Sequence, residues 1–250
     1  TATDDDGGVN SATISLTVEN VPPSIDSTIS TEGEQVQLDA TFTDPGSRDT
    51  HVAKVNWGDG SQTNPEVNQA NNSLSASHSY RQGGVYSVTL KVTDSDGGAA
   101  EVNHTVTIPH TVEMDVKPGN GDQTDPINPD DKGVVTVVIE SADEFNASSV
   151  DISTLRFGAQ ETVDAGGGAT PAHGGHLKDI DDDGDLDLVV HFRGDSGLNS
   201  SDEQAEVVGE TDNGVPLIGS DAVRIVGDGD NNNDGSENGN NGDNGNGNNP

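Results

Sequence analysis

Gly84-Val85-Tyr86-Ser87-Val88-Thr89-Leu90-Lys91-Val92-Thr93-Asp94 decides the fold class. Val88, Leu90 and Val92 alternate with Thr89, Lys91 and Thr93, a period of two that buries one face of a strand. Upstream, Val36, Leu38, Ala40 and Phe42 alternate in the same way with Gln37, Asp39, Thr41 and Thr43. Working outward, strands are predicted over 24–30, 35–43, 51–57, 73–77, 85–93 and 99–108. Turn residues separate them, and no helical period lasts beyond two turns. Strands this short and this regularly spaced predict an all-β sandwich.

Composition sets the bounds. The chain has 250 residues, of which 28% are hydrophobic and 3% aromatic. That is too little apolar material for one large core but enough for two small β-domains with polar surfaces. Acidic residues outnumber basic ones 45 to 10, for a formal net charge of −35. Nucleic acid and anionic membranes both require Lys and Arg to displace counterions, so neither is an expected partner. The balance suits high salt or divalent cations, which screen self-repulsion. A marine or halophilic prokaryotic source would supply either. There is no cysteine, so disulfides and thiolate metal sites are impossible. The longest apolar run, Val134 to Ile139, is far too short for a transmembrane helix.

Three motifs then fall in order: Trp57-Gly58-Asp59-Gly60, His78-Ser79-Tyr80, and the Gly84–Asp94 strand itself. Together they resemble a polycystic kidney disease (PKD) domain. The resemblance implies an immunoglobulin-like sandwich over residues 22–109, of a kind usually repeated in extracellular and surface proteins. It also implies a calcium option at one end of the sandwich, where Asp44, Asp49, Asp94 and Asp96 could meet, against the alternative of plain turn chemistry. Trp57 is read as the core tryptophan between the sheets rather than a sugar-stacking platform. Thr3-Asp4-Asp5-Asp6-Gly7-Gly8 with its alternating sequel recurs as Thr93-Asp94-Ser95-Asp96-Gly97-Gly98, a sign of tandem domains. Residues 1–21 are accordingly read as the last strand of a preceding PKD-like repeat, with Val21-Pro22-Pro23 as a stiff linker.

Residues 110–227 read as a second, mostly β domain with no helix. Its Lys117-Pro118-Gly119 start, Ser153–Gly158 strand and His173-Gly174-Gly175-His176 turn resemble an uncharacterised module near the C-termini of bacterial secreted proteins; no activity carries across. Residues 228–250 read as a disordered Gly/Asn/Asp tail, in which Asp230–Gly235 has the spacing of a calcium loop by chance or by design.

The chemistry concentrates in Asp179-Ile180-Asp181-Asp182-Asp183-Gly184-Asp185-Leu186-Asp187. Calcium takes six to eight oxygens from alternate positions of such a loop. Asp179, Asp181 and Asp183 occupy positions one, three and five, and Gly184 turns the chain at six. Asp185 offers its carbonyl, and Asp187 closes the site. Asp182 faces solvent. Val190 stands where an EF-hand has Glu, and Leu188, Val190 and Phe192 alternate as a strand, so the loop is anchored on β-structure. Magnesium dehydrates too reluctantly for an all-protein cage; a solvated acidic turn is the competing reading. His173, His176 and His191 could take zinc, although a tight turn packed on the calcium loop is preferred.

No Gly-x-Ser-x-Gly elbow, His-Glu-x-x-His helix or phosphate-cradling loop occurs. The expectation is therefore a non-enzymatic, calcium-stabilised extracellular segment, secreted or on the cell surface, acting in spacing, adhesion or display. Any protein or polysaccharide ligand would be met through neighbouring domains. The alternative is an accessory substrate-binding region of a larger secreted protease or glycosidase.

Overall fold

A computed structural model describes residues 1–3, 5–17, 19–119, 124–130 and 132–227. The chain divides into two compact units, Thr1–Thr111 with Glu210–Leu217, and Val112–Gly209 with the described residues from Ile218 on.

The first unit begins with a two-residue ladder, β1 (Ala2–Thr3) against β2 (Val9–Asn10). The alternating run expected to be a strand over 12–18 forms none over 12–17, and Ile14 is 91% exposed. An alternating pattern becomes a strand only where a sheet edge and an apolar face receive it. Residue 18 and the Asp230–Gly235 spacing lie outside the described residues.

The sandwich follows: β3 (Ser24–Glu32), β4 (Gln35–Thr43), β5 (His51–Asn56), β6 (Gln62–Thr63), β7 (Ser73–Ser79), β8 (Gly84–Asp94) and β9 (Ala99–Ile108). One sheet has the order β3-β4-β7 and the other β6-β5-β8-β9, with antiparallel neighbours throughout. The inward faces are those that the alternation predicts. Val36, Leu38, Ala40 and Phe42 meet Val55, Val88, Leu90 and Val92, all buried. In β9, Ala99 pairs with Thr93 and Ile108 with Gly84. A Cβ on Gly98 would touch Pro22 Cα. The chain therefore comes in beside the β8–β9 turn and leaves from the other end of the sheet.

Trp57 is fully buried, as expected of the core residue. Its Nε1 donates to Thr63 Oγ1 at 2.9 Å, and its carbonyl accepts from Tyr80 Oη at 2.6 Å. His78 stacks on the indole at 5.1 Å, and Tyr80 stacks on Tyr86 at 4.2 Å. Gly58 (φ +86°) is needed here, because a side chain would strike the Ser87 backbone at 2.7 Å. Asp59 accepts from the Ser61 N–H and pairs with His78 Nε2 at 2.7 Å, so it serves the turn. Burial acts to raise its pKa, but the His78 and Ser61 hydrogen bonds outweigh that and hold it below the usual carboxylate value.

The remaining strands, which lie wholly or partly in the second unit, are β10 (His110–Val112), β11 (Met114–Val116), β12 (Asp125–Ile127), β13 (Val135–Ile139), β14 (Val150–Gly158), β15 (Thr170–Pro171), β16 (His176–Lys178), β17 (Asp187–Arg193), β18 (Gln204–Thr211) and β19 (Pro216–Ile225). One sheet has the order β11-β13-β17-β15, with β16 also paired to β17. Another contains β19-β18-β14, with β12 running parallel to β19. β17 is central. Leu188 to Val190 are buried on both faces, and Phe192 packs its ring 5.4 Å from Phe157.

Several elements were unexpected, and two of them run against local sequence rules. A five-residue helix, α1 (Gln160–Asp164), buries Val163 after an N-cap Ala159 that offers no side-chain bond. Too short for a helical period and without a polar cap, it has no signature in the sequence. β12 contains Pro126, which is tolerated because a strand at the margin of the ladder can spare an N–H.

Candidate metal centre

The acidic loop turns out to be the connection of a β-hairpin. β16 pairs antiparallel with β17, and Lys178 lies opposite Asp187, so residues 179–186 close on themselves between two anchored ends. Gly184 turns at φ +102°, and Asp182 is exposed at φ +64°. A carboxylate side chain tolerates that left-handed conformation better than most.

Asp187, at the start of β17, is 1% exposed. Its Oδ1 accepts from the Ser141 N–H at 3.0 Å and its Oδ2 from the Ile180 N–H at 2.9 Å. The Ser141 hydroxyl donates to the Leu186 carbonyl at 2.9 Å and pins the same corner. Asp187 is thus a carboxylate fixed at the corner of the loop.

Asp179 and Asp181 join it. One carboxylate oxygen of each of Asp179, Asp181 and Asp187 lies within 4.8 Å of the others. Asp179 Oδ1 is buried and meets no hydrogen-bond donor. Among the described residues, no ion pair with a Lys, Arg or His reaches these three. The Asp183 N–H acts to lower the Asp181 pKa. Desolvation and the Asp183 and Asp187 charges outweigh it, and the net shift is upward. Burial, followed by the charges of Glu113, Asp181, Asp187 and Asp115, likewise pushes Glu140 up. Carboxylates whose charged form is disfavoured by burial and by one another's fields are what a cation would relieve.

The structure does not bring Asp183 and Asp185 into this trio. Asp183 Oδ1 accepts from the Asp185 N–H at 2.8 Å, a local turn bond, and both residues are exposed. Of the five residues expected as ligands, three bring carboxylates together and the Asp183 carboxylate takes the Asp185 N–H; Asp185 was expected to offer its carbonyl, not its side chain.

Two further carboxylate trios occur among the described residues. Asp44, Asp49 and Asp94 meet at one end of the sandwich, without Asp96. Asn20 Nδ2 bonds both Asp94 oxygens, at 3.1 and 2.9 Å, and the Asp96 and Gly98 N–H groups each reach Oδ1 at 2.9 Å. Led by Asn20, these donors lower the Asp94 pKa against desolvation. Burial first, then the charges of Asp96, Asp44 and Asp94, raise that of Asp49, and His51 opposes them. Gly46 and Gly98 make the approach possible, because a Cβ at either would strike Asp49 or Asp94.

The other trio, Asp115, Asp125 and Asp221, was not anticipated. Its members come from β11, β12 and β19, far apart in the chain, so no local spacing could reveal them. Asp221 Oδ2 accepts from the Val116 N–H at 2.8 Å. Burial, followed by the Asp125 and Asp221 charges, raises the Asp115 pKa.

Residues 20–109 match the sequence model of the PKD domain family. Among solved structures, the chain is similar to the PKD1 domain of the Vibrio cholerae metalloprotease PrtV. The two are 24% identical, the match covers 35% of this chain and 98% of that one, and the TM-score is 0.30. The PKD1 domain of Vibrio anguillarum Epp is 23% identical over 36% of this chain and 96% of its own, with a TM-score of 0.31. A PKD domain of an M14-like peptidase from a Thermoplasmatales archaeon is 24% identical over 36% and 99%, with a TM-score of 0.33. No curated protein matches the chain.

Proposed function

We propose that this chain, a PKD domain at residues 20–109 followed by a second β-unit, is a non-catalytic extracellular segment that calcium stiffens and that serves in spacing, adhesion or display. The observation that carries the reading is the loop between β16 and β17. It holds a buried carboxylate fixed by two N–H donors, a neighbour with an oxygen that meets no donor, and a third carboxylate within 4.8 Å of both. Hard oxygen ligands alone, with no sulfur and no nitrogen among them, favour calcium over transition metals. The millimolar calcium outside cells suits a site with so few carboxylate ligands. Asp179, Asp181 and Asp187 would hold the ion, and Asp183 and Asp185 would shape the bend.

Binding to the folded state alone stabilises it by mass action, about 2.7 kcal/mol at a hundredfold excess over Kd. Thermal melts of the full chain in calcium chloride and in a chelator read this gain. Asp181→Ala removes an exposed ligand with little else to do, and the calcium-dependent rise in Tm of the second unit should vanish. If that rise survives Asp181→Ala and disappears with Asp49→Ala, the ion sits in the sandwich and the loop is only an acidic turn.

A further inference from the structure

The His-Gly-Gly-His turn is more than a connection. Ala172 donates its N–H to the His191 carbonyl at 2.8 Å, folding the 172–175 segment over β17. A Cβ on Gly175 would strike Leu188 Cδ1 and the Val189 carbonyl, both at 2.9 Å. Glycine there lets the turn lie directly on the strand. The result gathers three imidazoles. The His173 ring centre lies 5.1 Å from that of His191, and the His176 ring centre lies 6.1 Å from it. His191 is half-buried in β17, and its Nδ1 is buried without a hydrogen-bond partner. His173 and His176 are exposed.

The contact of His173 selects a tautomer. Its Nδ1 lies 2.9 Å from the Gly174 carbonyl, and a carbonyl only accepts, so Nδ1 carries a proton. In the neutral ring the lone pair is then on Nε2. A backbone carbonyl that fixes the tautomer in this way is the usual support of a metal-bound imidazole. The spacing also fits. An imidazole bound at about 2.0–2.1 Å has its ring centre roughly 3.2 Å from the ion, so two of them at a tetrahedral angle lie about 5.2 Å apart. Binding requires the exposed His173 and His176 side chains to rotate until a nitrogen of each faces His191.

We propose that His173, His176 and His191 form a site for a borderline-soft divalent transition metal of the zinc class, separate from the carboxylates of the loop. Nitrogen ligands select such ions over calcium, and calcium's oxygen-only preference keeps it on the loop. With three protein ligands, the fourth position stays open to water or to a donor on a partner.

The test is a calorimetric titration of the full chain with zinc chloride in saturating calcium. One zinc per chain is expected. The double variant His173→Ala/His176→Ala alters only exposed side chains and should melt as the parent does without zinc, while losing zinc affinity by more than about tenfold. Ring resonances of all three histidines should move with zinc in the parent. Asp181→Ala should retain zinc while it loses the calcium response, so the two sites can fail independently. The proposal is overturned if the parent takes up no zinc, if the double variant binds it as tightly, or if Asp181→Ala abolishes binding.

Discussion

Trp57→Ala decides what the tryptophan of the Trp-Gly-Asp-Gly motif is for. The side chain is fully buried, donates to Thr63 and lies under the His78 ring at 5.1 Å. Truncation removes the largest side chain of the core, leaves a cavity between the sheets and strips the Thr63 hydroxyl of its donor. Such changes cost about 3–5 kcal/mol. Against a typical total of about 5–15 kcal/mol, and at roughly 4–8 °C per kcal/mol for a domain of this size, the melting point should fall by about 12–40 °C. Because Trp57 is the only tryptophan, tryptophan fluorescence vanishes with it. Circular dichroism and amide dispersion in NMR spectra are the readouts. Amide signals of residues 22–109 should collapse toward random-coil positions. A variant that melts within a few degrees of the parent but no longer binds a polysaccharide would refute the core reading.

Three shorter predictions follow from the same geometry. Asp59 has a lowered pKa, so its stabilising effect is present above its unfolded value near 4 and is lost as pH falls through the lower folded value. Asp59→Asn should flatten the acid limb of a Tm-against-pH curve, and an unchanged limb would rule the pair out. Burial, then the charges of Asp59 and Tyr86, lift Tyr80 to about 12. Its contribution is complete below about pH 10, where an unfolded tyrosine begins to ionise, and is lost as pH rises toward 12. Tyr80→Phe should remove that alkaline loss, as absorbance at alkaline pH and parallel melts would report. Asp187→Ala leaves the Ser141 and Ile180 N–H groups without their acceptor and should destabilise the second unit by roughly 2–6 kcal/mol even in chelator. Asp181→Ala should do so only in calcium; equal effects in chelator would mean that Asp187 has no separate structural part.

How far the sequence reached depended on the range of the interaction. Alternation is local, so six of the seven sandwich strands were legible, all but the two-residue β6, and β4 and β9 have the expected bounds. Alternation does not report whether a sheet is there to receive it, and 12–17 stayed out of any strand for that reason. In the loop, Gly184 and the strand after it revealed the turn and the anchoring of Asp187. That the Asp183 carboxylate takes the Asp185 N–H depends on the hairpin made by β16, too short beside its glycines to register as a strand. The Asp115, Asp125 and Asp221 trio is set by strand order, which no spacing encodes.

The sandwich takes the chain in at one pole and lets it out at the other. β9 pairs Ala99 with Thr93 and Ile108 with Gly84, and Pro22 lies beside Gly98. A module threaded this way adds its long dimension to the reach of the protein. Ten residues of extended β9 correspond to about 33 Å. Tension along the chain would run lengthwise through β3 and β9, which start at the same pole and share the Ser27–His104 contact at 2.8 Å. Asn20, gripping both oxygens of Asp94, is one point at which an upstream pull would meet the folded body. Under such a load the aspartate cluster at that pole would be a mechanical anchorage, and whatever tightens it would raise the force the joint can bear.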